Sequence, residues 1–273
     1  MTAAGAGGRS LDVAGTGAEV RVYSTAAEGG CEAAARIARA IVEARQARGR
    51  AVLGLATGGT PILAYAELVR LHESGELSFR DVQTYNLDEY YPMSGFDPQS
   101  YRFYMNQHLF SKVDLAANAA HVLDGTVPDA ATADHCATFD RWIEADGGLD
   151  LQLLGIGRNG HIGFNEPSEL GIEEFAALPT RRVKLHPVTS ADAARDFGGE
   201  LAKVPAEALT VGVKPILAAR SILILAFGAA KADAVAKALT GPITASVPAS
   251  LLRRSGAKVT WLVDEAAAAG LGG

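Results

Sequence analysis

Ala51-Val52-Leu53-Gly54-Leu55, Ala56-Thr57-Gly58-Gly59-Thr60-Pro61 and Ile62-Leu63-Ala64-Tyr65-Ala66-Glu67-Leu68 follow one another without a break, and this stretch decides the fold. An unbroken run of small and apolar residues fits a strand covered on both faces. The run stops at two glycines, and apolar residues then return at helical spacing. Strand, glycine turn and helix make one unit of a parallel α/β layer. Glycines at such a turn let the backbone approach a ligand closely. Thr60 is suited to cap the helix and Pro61 to open its first turn. Free N–H groups and the helix dipole there would attract a phosphate. No Gly-Lys-Ser/Thr follows, so this is not a P-loop. A tight turn with no ligand is the plainer alternative.

The alternation continues in both directions. Residues 82–87, 151–156, 209–213, 221–227 and 258–263 predict further strands of the same covered kind. Residues 31–47, 62–73, 99–109, 131–145 and 231–239 predict helices. The expected architecture is a doubly wound α/β fold, a mostly parallel sheet flanked by helices, in a single domain. Residues 1–20 form an expected flexible tail and 21–273 the domain. The stretch 168–200, with Gly171, Pro179, Pro187, Gly198 and Gly199, breaks the alternation. A long irregular insert of this kind suggests a lid.

Composition narrows the function. The formal net charge is −6 and no basic run occurs, which argues against a nucleic-acid partner. No apolar run reaches the ~18 residues of a membrane span, and the N-terminus has neither the basic start nor the apolar centre of a secretory signal. The expected compartment is the cytoplasm. Cys31 and Cys136 are the only cysteines, too few for a disulfide framework or a zinc motif. An acidic chain that binds an anion must gather positive potential locally.

In open α/β sheets ligands bind beyond the carboxyl ends of the strands, and three more loops there carry reactive residues. Asn86-Leu87-Asp88-Glu89-Tyr90 ends a strand in two carboxylates. Adjacent side chains on extended chain point opposite ways, so one of the pair faces any given ligand. A solvated acidic turn is the bland reading of that pair. Gly155-Ile156-Gly157-Arg158-Asn159-Gly160-His161-Ile162-Gly163-Phe164-Asn165-Glu166-Pro167 contains a literal G-x-G-x-x-G. Gly163 and Pro167 oppose the helix that a dinucleotide site requires. A glycine loop presenting a histidine, an amide and a carboxylate remains, and histidine moves protons near neutral pH. Finally, Phe227-Gly228-Ala229-Ala230-Lys231 places a cation at a helix start, where the dipole disfavours it unless an anion binds.

Taken together, five motifs resemble the glucosamine-6-phosphate deaminase family. They are 53–61 (LGLATGGTP), 85–90 (YNLDEY), 100–105 (SYRFYM), 155–167 (GIGRNGHIGFNEP) and 209–213 (LTVGV), and the likeness runs from about Leu53 to Glu265. The related 6-phosphogluconolactonases typically carry Asp-Glu-Arg at the first acidic pair and lack the Phe-Asn-Glu-Pro sequel. The resemblance implies aldose–ketose isomerisation with loss of ammonia, and no metal or organic cofactor. It implies Asp88 as the base between C2 and C1, His161 as the ring-opening residue and Glu166 as its support. Lys231, Arg195 and the loop Thr57, Gly58, Gly59 and Thr60 correspond to phosphate ligands. Asn159 stands where many members have aspartate; it can orient the imidazole but supplies no charge. Arg182 and Lys184 match basic residues that bind an activator in allosteric members. A lactonase and a non-catalytic sugar-phosphate sensor are the alternatives. The epimer at C4 and a possible homo-oligomer stay open.

Overall fold

The computed structural model describes residues 7–271. Eleven strands are present among them: β1 (Arg9–Leu11), β2 (Glu19–Tyr23), β3 (Ala51–Leu55), β4 (Val82–Asn86), β5 (Asp88–Tyr91), β6 (Ala120–His121), β7 (Leu151–Gly155), β8 (Arg181–Lys184), β9 (Glu207–Thr210), β10 (Ser221–Ala226) and β11 (Val259–Asp264). The helices are α1 (Ala26–Arg48), α2 (Ile62–Glu73), α3 (Tyr101–His108), α4 (Thr132–Ala145), α5 (Ile172–Ala176), α6 (Pro187–Ala193), α7 (Val213–Ala218), α8 (Ala232–Thr240) and α9 (Glu265–Ala268).

Eight strands form one sheet in the order β1-β2-β11-β10-β7-β3-β4-β6, parallel except for the β1–β2 edge pair. From β3 the chain moves outward to β4 and β6. It then returns to build β7, β10 and β11 on the other side of β3. The order reverses between β3 and β7, and the crevice beyond such a reversal is where these sheets bind ligands. The central strands β3 and β10 and the helix residues Ala33, Ile37, Ile41, Tyr65, Leu68 and Phe139 are almost wholly buried. That burial explains why the strands read as continuous apolar runs.

Four expectations need correction. The 209–213 strand is not in the parallel sheet. It begins earlier, as β9, and is the centre of a separate antiparallel sheet β5-β9-β8 in which Asp88 pairs with Thr210 and Arg181 with the same residue. Within the expected tail, Arg9–Leu11 form an edge strand paired with β2; Arg9 and Ser10 are exposed at that edge, and Leu11 packs against the core. Helix α1 starts five residues before the expected Cys31, where the Thr25 side chain accepts from Glu28 N–H. Gly29 and Gly30 disguise this start, since glycine is a poor helix former. A Cβ on Gly29 would lie 2.5 Å from the Phe227 ring, so the glycine serves close packing. Lastly, the insert 168–200 is not irregular: it folds into α5, β8 and α6, with Pro187 in the first turn of α6. Among the described residues, no helix is long and apolar enough to cross a membrane.

Candidate active site

The loops that leave β3, β4, β7 and β10 meet at a cavity of about 210 Å³. Thr57, Gly58, Gly59 and Thr60 line one side of it, and Asp88, His161, Arg195 and Lys231 complete the wall. Asn159 and Glu166 stand behind His161. The residues expected to act on or hold the substrate are therefore at this cavity or directly behind it, whereas Arg182 lines another cavity and pairs with Asp129 and Glu207. A second cavity, about 410 Å³, lies at the opposite end of the sheet. Its Arg36, Arg48 and Arg220 are already engaged by Glu19, Glu32 and Asp150.

Asp88 and Glu89 part as the strand pleat requires. Glu89 turns away from the cavity and accepts from Ser100 Oγ (2.6 Å), Tyr101 N–H (3.0 Å) and Arg102 N–H (3.1 Å), holding the start of α3. Asp88 lines the cavity, is 6% exposed, and its Oδ1 has no hydrogen-bond partner among the described residues. Burial, with the charge of Glu89 adding to it, pushes the Asp88 carboxyl up to about 8. Tyr90, Tyr101 and Phe164 form the apolar wall beside it, with 4.9 Å between the two tyrosine ring centroids. Tyrosine and phenylalanine in this role carry no signal distinct from core packing, which is why they were not singled out.

The imidazole of His161 lies flat across the loop that presents it. A Cβ on Gly157 would come within 2.2 Å of the ring, so only glycine fits there. Nδ1 of His161 is 3.3 Å from Glu166 Oε2 and 3.2 Å from Thr189 Oγ1. Thr189 Oγ1 also donates to Glu166 Oε1 at 2.5 Å. Burial alone would raise the Glu166 carboxyl, but the hydrogen bond and charge of His161, with Thr189 and Asn159 as further donors, outweigh it and bring it down to about 2. Asn159 does not orient the imidazole as expected. Its Nδ2 donates to Glu166 Oε2 (2.9 Å) and its Oδ1 accepts from the His161 backbone N–H (3.3 Å). Thr189 was missed in the sequence because it sits on another element, 28 residues away.

At the other end, Lys231 Nζ donates to Ile156 O (2.8 Å), and burial lowers its pKa. Lys231 and Arg195, with Gly59 and Thr60, also line an adjoining cavity of about 420 Å³ that Arg158 and Asp192 share. Arg158, in the glycine loop, pairs with Asp192 of α6. Thr60 is not the cap of α2: Pro61 occupies that position and no side chain accepts from the first turn. An uncapped helix start beside two cations creates a local positive potential that favours an anion. Among the described residues, no cluster of three His, Cys, Asp or Glu side chains is placed to hold a metal.

Residues 24–261 match the family model described as glucosamine-6-phosphate isomerases/6-phosphogluconolactonase. The chain belongs to this family. Within it, a glucosamine-6-phosphate deaminase 2 of Giardia intestinalis is 44% identical over 238 residues, covering 87% of this chain and 88% of that one. A glucosamine-6-phosphate deaminase of Bacillus velezensis is 45% identical over 239 residues, covering 88% and 95%. A solved structure of a monomeric glucosamine-6-phosphate deaminase superposes with a TM-score of 0.85 at 41% identity, covering 92% of this chain and 99% of that one. The mostly parallel sheet of this family is the one the strand pattern predicts.

Proposed function

We propose that this chain is a glucosamine-6-phosphate deaminase, converting glucosamine 6-phosphate and water to fructose 6-phosphate and ammonia. The observation that carries this reading is the placement of Asp88. Its buried carboxylate, with one oxygen unpartnered, shares a cavity with a carboxylate-backed histidine and a lysine. A substrate ammonium at C2 supplies the cation that Asp88 lacks.

Lys231, Arg195 and the loop Thr57 to Thr60 hold the phosphate. His161, steadied by Glu166 and by Asn159 through it, moves the anomeric hydroxyl proton to the ring oxygen and opens the sugar. Asp88 takes the proton from C2, giving an enolamine, and returns it to C1. Water then adds to the C2 iminium and ammonia leaves. The segment 168–200 acts as the lid, and its closure keeps water from the enolamine until the proton has moved. The work is done in the cytoplasm, because a doubly charged sugar phosphate does not cross an apolar barrier unaided.

The test is ammonia release from glucosamine 6-phosphate and from its C4 epimer, with substrate deuterated at C2 followed by NMR. Deuterium at C1 of the product is expected. Hydrolysis of 6-phosphogluconolactone without ammonia release would replace this reading by the lactonase, and binding without turnover by a sensor.

A further inference from the structure

Neither the sequence motifs nor the family likeness gives Thr189 a part, yet it touches both members of the histidine–carboxylate pair. We propose that Thr189 is a positioning residue that holds His161 in the tautomer with hydrogen on Nδ1 and a bare Nε2, and that α6 delivers it. The proposal rests on the ring-opening role given to His161 above, although its first readout needs no substrate.

The assignment follows from counting hydrogens. A hydroxyl has one hydrogen to donate and otherwise only lone pairs. Thr189 Oγ1 donates its hydrogen to Glu166 Oε1 at 2.5 Å, and an ionised carboxylate can only accept. Toward His161 Nδ1, at 3.2 Å, the hydroxyl then offers a lone pair. The other neighbour of that nitrogen, Glu166 Oε2 at 3.3 Å, is likewise an acceptor. Two acceptors facing one nitrogen require it to carry hydrogen. Asn159 makes no hydrogen bond to the ring, because its amide donates to Glu166 and its oxygen accepts from the His161 backbone N–H. Nε2 is thereby left with a lone pair, the state needed to take a proton from a sugar hydroxyl.

Delivery by α6 follows from the helix. Thr189 and Asp192 are three residues apart, so they share a face of α6. Thr189 is 6% exposed and reaches the histidine pair, while Asp192 is clamped by Arg158 of the glycine loop. Pro187 and the His186 side chain, which accepts from Val188 N–H at 3.2 Å, fix the start of that short helix. Seating α6 and completing the hydrogen-bond relay are one event.

The experiment compares wild type, Thr189→Val and Thr189→Ser by 15N NMR of histidine-labelled protein, at a pH where the ring is neutral, and by steady-state kinetics. In wild type the His161 ring should be the Nδ1–H tautomer. Thr189→Val should show a mixture of tautomers. Its kcat should fall roughly 10-fold or more, inside the ~10²–10⁴ range of a whole general acid–base contribution, with KM little changed. Thr189→Ser should restore both. An unchanged tautomer in Thr189→Val overturns the proposal, whatever the turnover, as does failure of the serine to rescue a folded protein. If neither wild type nor variants release ammonia while the tautomer shifts as stated, the proposed reaction fails and the positioning role stands.

Discussion

At the scale of single residues, Asp88 is where stability and function oppose each other. Its carboxyl, pushed up to about 8, keeps a proton in the folded chain that the unfolded chain loses near its ordinary 3.8. Between those two values the unfolded state binds fewer protons than the folded one, so stability falls as pH rises through that window. Asp88→Asn removes this penalty. Thermal melts of the variant should exceed wild type by more at pH 8 than at pH 4, the two ends of that window. The same variant should lose about 10²–10⁴-fold in kcat. For wild type, kcat/KM should climb as pH approaches 8 and the free enzyme's carboxylate ionises. A variant that melts no higher at pH 8 and turns over near normally would remove Asp88 from the site.

Elements translate these residues into position. Glu89 and Ser100 together fasten the start of α3 to β5, with the Ser100 side chain also capping the helix. Removing a charged acceptor of several hydrogen bonds costs about 1–3 kcal/mol or more. Glu89→Ala should therefore lower stability by that amount in urea unfolding, while reducing kcat less than Asp88→Asn does. In the second sheet, β5-β9-β8, strand β5 follows directly on β4 and strand β8 leads into α6. Helix α6 is short and held to the glycine loop mainly through Thr189 and Asp192. Few attachments of this kind mark an element that opens at low cost. Hydrogen exchange should show amides of residues 186–197 gaining protection when fructose 6-phosphate binds, with β3 and β10 unaffected. Equal protection in both states would mean that α6 is not part of a moving lid.

For the whole molecule, the parallel sheet runs from the crevice to a distant edge. The crevice lies between β3 and β7, and β1 closes the far side by pairing with β2. Deleting residues 1–11 would expose the β2 edge, an invitation to pair with another chain. Such a truncation should melt at lower temperature and self-associate in sedimentation. Its kcat should stay within about 2-fold of the full chain, since surface changes away from the site act mainly on stability. A large loss of kcat in folded, monomeric truncated protein would mean that the edge communicates with the crevice.

Local chemistry made much of this protein legible in one dimension. Buried parallel strands are largely apolar along their length, so β3, β7, β10 and β11 announce themselves, and so do the glycine turns after β3, β7 and β10. Asp88, His161 and Lys231 are conspicuous because a carboxylate, an imidazole and an ammonium at strand ends have no packing purpose. What the chain cannot display is anything that depends on partners remote in sequence. The early start of α1 is hidden because Gly29 serves the ring of Phe227, 198 residues away, rather than helix propensity. Leu209 reads as a parallel-sheet strand, and only its pairing with Glu89 and Arg182 places it in a second sheet. The strand alternation says only that one of Asp88 and Glu89 faces the cavity, and the family resemblance picks Asp88; the contacts of Glu89 with α3 turn Glu89 away from it. Asn159 reads as a partner for the imidazole, but the folded loop points its amide at Glu166 and leaves the ring to Glu166 and Thr189. Hydrogen-bond reach is a few ångströms in space, and periodicity along a chain carries no record of it.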